Sequence, residues 1–243
     1  MARITKALTG AWLDLDRADR EESTERSIME FLLKIAEHPS IHVSRTILEI
    51  LPRFFPRKSQ LVKDSIPLLQ RKVIIPHIAK SGSGETKAVA VDNFGVSLDQ
   101  FLKLREHGIA DALRACWAFQ SKVYIDSCSS AIIEFCGSRD GKSLSFHLEA
   151  ALFCMEVIGP VVQETKAHLS FEGHLLRCLK IASQPSSFPI LDNPLTASRL
   201  CSLLRNVSCL LSIAPFNLGI VFKLTKPPSG LSGLTTRRKL ILP

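Results

Sequence analysis

Four stretches of this 243-residue chain hold residue types that could do chemistry, at spacings close to those chemistry needs. Residues 81–88, Ser-Gly-Ser-Gly-Glu-Thr-Lys-Ala, have glycines of the kind that let consecutive backbone N–H groups cradle an anion. A nucleotide loop also needs Gly-Lys followed by Ser or Thr, whereas Gly84 is followed here by Glu85, Thr86, Lys87 and Ala88, so the stretch reads as a flexible linker. His168, Glu172 and His174 carry metal-ligating atoms. Their HxxxExH spacing does not put both histidines on one helical face, as the i, i+4 spacing of HExxH does, and a solvated loop is the simpler reading. Cys136 and Cys154 lie near His147 in sequence, a thiol-and-base pairing, but no nucleophile signature surrounds either thiol and both read as core. Glu149 would serve as a general acid only if a second carboxylate converged on it, and none is identifiable. No catalytic, cofactor-binding or metal-ligating residue is therefore assigned. The chain is expected not to be an enzyme.

The elements that position these residues read as helices. Hydrophobic residues reach 46%, with 12 Gly and 13 Pro, a composition that supports a folded domain. Seven cysteines without a close CxxC pair argue against a zinc site and a disulfide framework, and for a reducing compartment. The N-terminus lacks a signal-peptide h-region, and no stretch reads as the roughly 20 uninterrupted apolar residues of a spanning helix. A soluble intracellular protein is expected, with the sequon Asn206-Val207-Ser208 a chance match. The net charge of +8 is compatible with nucleic acid, an anionic membrane surface or an acidic protein, yet only Arg237–Lys239 form a compact basic cluster.

The periodicity predicts helices over 28–37 and 42–55, split by Pro39, and another over 57–80, kinked or ended near Pro67 and Pro76. A loop spans 80–96. Ser97 and Gln100 fit a capping box for a helix through Trp117, and further helices are expected at 121–136, 145–162, 171–183 and 194–214. Asn193 and Pro194 suit the cap and first position of the last. In the 145–162 helix, Leu148, Leu152, Met155 and Ile158 are expected to face one way, with Ala151, Phe153, Cys154 and Val157 on other sides. Glu149 would sit in the first turn beside the helix dipole, Glu156 would reach solvent, and Gly159-Pro160 would bend or end the helix. The next helix has its own ladder in Leu200, Leu203, Leu204, Val207, Leu210 and Leu211.

Tyr124, Cys128, Ala131, Ile132 and Phe135 share the spacing i, i+4, i+7, i+8, i+11 with Phe171, Leu175, Cys178, Leu179 and Ala182, at an offset of 47 residues. That offset falls in the roughly 40–47-residue range of HEAT and armadillo units, though any two amphipathic helices can be superposed this way. In a stack of helical pairs one helix touches its partner and both neighbouring repeats, which accounts for a helix apolar on most sides. The expected fold is an all-α, HEAT/armadillo-like α-solenoid of antiparallel helix pairs over 28–215, after an N-terminal segment at 1–27, partly helical or disordered, and before a basic, disordered tail at 216–243.

Residues 146–158, FHLEAALFCMEVI, resemble the aromatic-x-x-Glu-Ala-x-Leu-Phe-x-Met-x-x-Ile helix of the importin-β (karyopherin-β) superfamily, especially its transportin-SR branch. Phe146 stands where the family usually has Trp; Glu149, Ala150, Leu152, Phe153, Met155 and Ile158 fit. HLLRCLKIASQP and NPLTASRLCSLLRNVSCLLSIAP are similar to the following helices of such receptors, and HPSIHVSRTILEILPRFF and FLKLREHGIADALRACW to earlier ones. The resemblance implies a nuclear transport receptor fragment that holds protein cargo, Arg/Ser-rich cargo among the candidates. It further implies Ran GTPase and nucleoporins as partners of a complete receptor, the Ran-binding repeats missing here, no cofactor, no membrane insertion, and residence in nucleus and cytoplasm. Two features depart from the family: receptors are several times longer and usually acidic. A basic helical-repeat scaffold for RNA or another polyanion is the alternative.

Overall fold

A computed structural model of the chain describes residues 22–38, 40–51, 60–82, 103–138, 141–164, 168–182, 184 and 193–207, with isolated positions 7 and 10. The described elements are all helical, as the periodicity requires, and no strand occurs among the described residues. The Ser97–Gln100 capping box, most of the 80–96 loop, the Leu210–Leu211 end of the last ladder and the C-terminal tail lie outside them.

Helix α1, Glu22–Ala36, begins ahead of its expected start because its first turns are polar; burial starts at Met29 and continues through Leu32, Leu33 and Ala36. Helix α2 spans Ile41–Ile50, with Leu51 still at helical φ and ψ; residues 52–55 of the expected helix lie outside the described residues. Helix α3, Gln60–Leu68, runs into a π-helical segment, Leu69–Ile74, and on into α4, Ile75–Gly82. The disturbance foreseen at Pro67 and Pro76 thus takes the form of a widened turn between them, one way a chain absorbs a missing amide hydrogen without breaking.

A second π-helical segment, Leu104–Ile109, leads into α5, Ala110–Gly137. Gln120, at φ −147° and ψ 73°, is non-helical, so α5 is two helices joined at the point where the sequence separates them. Helices α6, Gly141–Glu164, α7, His168–Ala182, and α8, Pro194–Asn206, follow. Pro160 does not end α6; it lies exposed on a helix that continues to Glu164. Because α6 starts at Gly141, Glu149 is in its third turn and not its first, so the expected dipole contact does not apply.

The principal packing pairs link elements near in sequence: α1 with α2 and α3, α3 with α5, α4 with α6, α5 with α6 and α7, and α6 with α8. Directions follow from the contacts. Tyr124 meets Cys154 and Phe135 meets His147, so α5 and α6 are antiparallel. Trp117 meets Phe171 and Ser129 meets both His174 and Cys178, so α5 and α7 are parallel. Ser145 meets Thr196, Glu149 meets Arg199 and Glu156 meets Ser202, so α6 and α8 are parallel as well.

Helix α6 is the hub of this packing. Its 20-residue window Leu144–Gln163 is long and apolar enough, by length and composition, to cross a membrane, which corrects the expectation that no stretch is. The window is 72% buried inside the protein, so its apolar surface meets other helices. Leu148, Leu152 and Met155 meet Ile132 and Cys136 of α5, Leu175 of α7 and Leu200 of α8 around an apolar void of about 10 Å³. That is at the lower limit for one water, and apolar walls give a water nothing to bond.

Candidate functional site

The most highly charged buried place in the described residues lies on the other face of α6, where Glu149, Phe153 and Glu156 recur at i, i+4, i+7. Arg105, delivered by the Leu104–Ile109 turn, donates from Nη2 to Glu149 Oε1 at 2.5 Å. Arg199 of α8 bridges both acids, with Nε 2.9 Å from Glu149 Oε1 and Nη1 2.6 Å from Glu156 Oε2. Ser202 Oγ donates to Glu156 Oε1 at 2.5 Å, and Asn206 Nδ2 reaches the same oxygen at 3.3 Å. The Phe153 ring lies under both guanidinium groups, 4.3 Å from Arg105 and 5.1 Å from Arg199. A ring face attracts cations, most strongly away from water.

Glu156, expected in solvent, is thus buried at 9% exposure, because α8 supplies it with a cation, a hydroxyl and an amide. Burial pulls the Arg105 guanidinium below its ordinary value against the opposing pull of Glu149. For Arg199 burial acts the same way, but its bonds and charge interactions with Glu156 and Glu149 outweigh burial and hold it above. Two acids and two bases balance, and each carboxylate already accepts guanidinium hydrogen bonds. The cluster therefore fastens α6 to α8 and to the Leu104–Ile109 turn.

Two serine–histidine contacts also arise that the sequence does not display. Ser129 Oγ lies 3.1 Å from His174 Nδ1, and His174 Nε2 lies 3.3 Å from Asp126 Oδ1. The residue types match a hydrolytic triad; the setting does not. Ser129 is 2% exposed in the middle of α5, where neighbouring amides are committed to the helix and none is free to stabilise an oxyanion. The trio joins α5 to α7. Ser44 Oγ lies 2.8 Å from both Ala36 O and His77 Nε2, tying the carbonyl end of α1 to α4. These couples are 45 and 33 residues apart in sequence, so no spacing rule could have found them.

The candidates named from sequence are placed as follows. Residues 83–88 of the glycine-rich loop and the His168 side chain lie outside the described residues. His174 is the α5–α7 contact, and Glu172, two residues earlier in the same helix and so on a different side of it, is half-buried. His147 packs its ring on Phe135 at 5.7 Å between centroids. Burial pushes the Cys136 thiol up to about 11 and the Cys178 thiol up to about 12, which leaves almost no thiolate at neutral pH. Cys154 is buried, and its carbonyl accepts the Tyr124 hydroxyl at 2.6 Å. Among the described residues no group of three or more His, Cys, Asp or Glu stands together so as to hold a metal ion. Comparison of the chain with protein-family models, characterised proteins and solved structures finds no match.

Proposed function

We propose that the chain is a HEAT-like α-solenoid segment that works by binding protein, in the manner of a nuclear transport receptor holding cargo. The observation that carries this reading is the direction of packing: neighbours in sequence, α5 and α6, run antiparallel, while helices two apart, α5 with α7 and α6 with α8, run parallel. A serial stack of helical hairpins has this arrangement, with each pair laid on the last. The two helices that share a template 47 residues apart are among those that pack in parallel, as equivalent helices of consecutive repeats do. The wording of residues 146–158 adds the importin-β-like character. Mechanism then lies in curvature. Small rotations between repeats sum along the stack and let it close on a cargo without any covalent step.

The test is binding of an Arg/Ser-rich nuclear localisation peptide to the full chain by fluorescence anisotropy, with and without Ran loaded with GTP. Saturable binding that persists at elevated salt supports the reading. Absence of binding at any salt overturns it for this cargo class. A second reading, a scaffold for a polyanion, is favoured by charge: residues 208–243 carry five Lys or Arg and no Asp or Glu. That reading requires an RNA homopolymer to bind and to release steeply as salt rises.

A further inference from the structure

The contact between α6 and α8 has two edges of different chemistry. Toward α5 and α7, Leu152 and Met155 meet Leu200 and Leu203 beside the small apolar void. Along the other edge Glu149 and Glu156 meet Arg199, Ser202 and Asn206, which recur at i, i+3, i+7 on α8. The start of α8 is held by neutral bonds: Thr196 Oγ1 donates to Ser145 O at 2.9 Å, and Asn193 Nδ2 donates to Ser145 Oγ at 3.0 Å. A buried apolar seam with one anchored end can serve as an axis, because packed helices shift by small amounts while keeping most of their burial. The polar edge is then the edge that opens.

The charges along that edge are arranged so that opening strands none of them. Glu149 Oε1 accepts from Arg199 of α8 at 2.9 Å and also from Arg105 at 2.5 Å, and Arg105 does not travel with α8. The Phe153 ring likewise keeps Arg105, 4.3 Å away, when Arg199 leaves it. Glu156 takes its cation, hydroxyl and amide from α8, so lifting α8 uncovers it to water. An acid left buried without a partner is the usual obstacle to separating an ion pair inside a protein, and here it does not arise. Of the two arginines, Arg199 is the more open to water, with 25% of its side chain exposed against 10% for Arg105. We propose that α6 and α8 form a hinged joint: α8 turns about the Ser145 anchor and the leucine seam, Arg199 is the releasable latch, and Arg105 keeps Glu149 paired while the latch is open. The joint rests on the curvature mechanism proposed above for its use, and it is measured without cargo, so a rigid joint counts against it whatever the cargo assay gives.

Cys201 offers a natural reporter, since it is exposed on α8 while the other described cysteines are buried. Spin labels on Cys201 and on Ser130→Cys, an exposed position of α5, in the full chain with Cys209→Ser, give the distance across the joint by pulsed dipolar spectroscopy. Raising NaCl from 0.1 M to 1 M shortens the screening length from about 10 Å to about 3 Å. This parent chain should show one narrow distance at low salt and gain a longer component at high salt. Arg199→Gln should show the longer component already at low salt and respond little to more. Arg105→Gln should keep the narrow low-salt distance, because Arg199 still closes the edge. If Arg199→Gln fails to fold, Arg199→Lys takes its place: it keeps the charge but not the fork that spans both carboxylates, and should open at lower salt than the parent. A parent distance that stays narrow to 1 M NaCl overturns the proposal, as does an Arg199 variant that opens no more readily than the parent. An Arg105→Gln chain that opens as far as Arg199→Gln also overturns it, since the cluster would then be one static unit.

Discussion

Glu156 shows how much a single side chain depends on a helix far along the sequence. Its two oxygens are shared among Arg199, Ser202 and Asn206, so Glu156→Ala leaves Arg199 with one carboxylate and two polar groups without their acceptor. The expected loss is about 1–3 kcal/mol, read as a lower melting temperature. Leu152→Asp buries an unpaired charge at a position 4% exposed and should cost several kcal/mol, about 3 or more. The buried thiols give a pH dependence with a definite sign. Well below pH 9 Cys136 and Cys178 are protonated whether the chain is folded or not, and they add no slope. Above it the unfolded chain releases their protons, while the folded chain holds them until about 11 and about 12 respectively. Stability should therefore fall as pH rises through that window, by up to about 1.4 kcal/mol per thiol per pH unit. The double variant Cys136→Ala, Cys178→Ala should show a shallower alkaline decline in denaturant titrations between pH 9 and 11.

At the scale of elements, local signals were legible where one residue type has one mechanical use. Asn193 accepts from Leu195 N at 2.9 Å with Pro194 following it, as the cap pattern requires, and its Nδ2 also donates to Ser145 Oγ at 3.0 Å. Asn193→Ala should thus cost more than a cap alone, about 1–2 kcal/mol, measurable by chemical denaturation. The break between Trp117 and residue 121 was legible too, and it falls at Gln120. Gly159, expected with Pro160 to bend or end the helix, is a clearance: a Cβ there would lie 3.3 Å from Val207 Cγ1 of the α8 terminus. No local pattern reveals which helix will approach a glycine. The same limit hid the charged cluster, because Glu149, Glu156, Arg105 and Arg199 look like separate surface charges until α8 is laid along α6. Burial of apolar residues follows from period alone; burial of charge depends on a partner that only the tertiary arrangement supplies.

For the whole molecule, a serial stack and a closed bundle predict different distances between helices remote in sequence. Packed helices sit about 9 Å apart, so three steps, from α1 through α3 and α5 to α7, separate the ends by about 27–30 Å, whereas a closed bundle would bring them within about 20 Å. Spin labels at exposed positions on α1 and α7, Glu30→Cys and Arg177→Cys with Cys201 and Cys209 replaced by Ser, would measure this by pulsed dipolar spectroscopy. A distance near the shorter value would remove the stacked architecture and the binding role drawn from it.

The central position of α6 also bears on synthesis. A ribosome that has delivered α6 but not yet α8 leaves Glu156 without its cation and Leu152 and Met155 without Leu200 and Leu203 to cover them. Over that interval of translation the nascent chain presents a greasy, acid-edged rod, the kind of surface that chaperones hold and that aggregates when they do not.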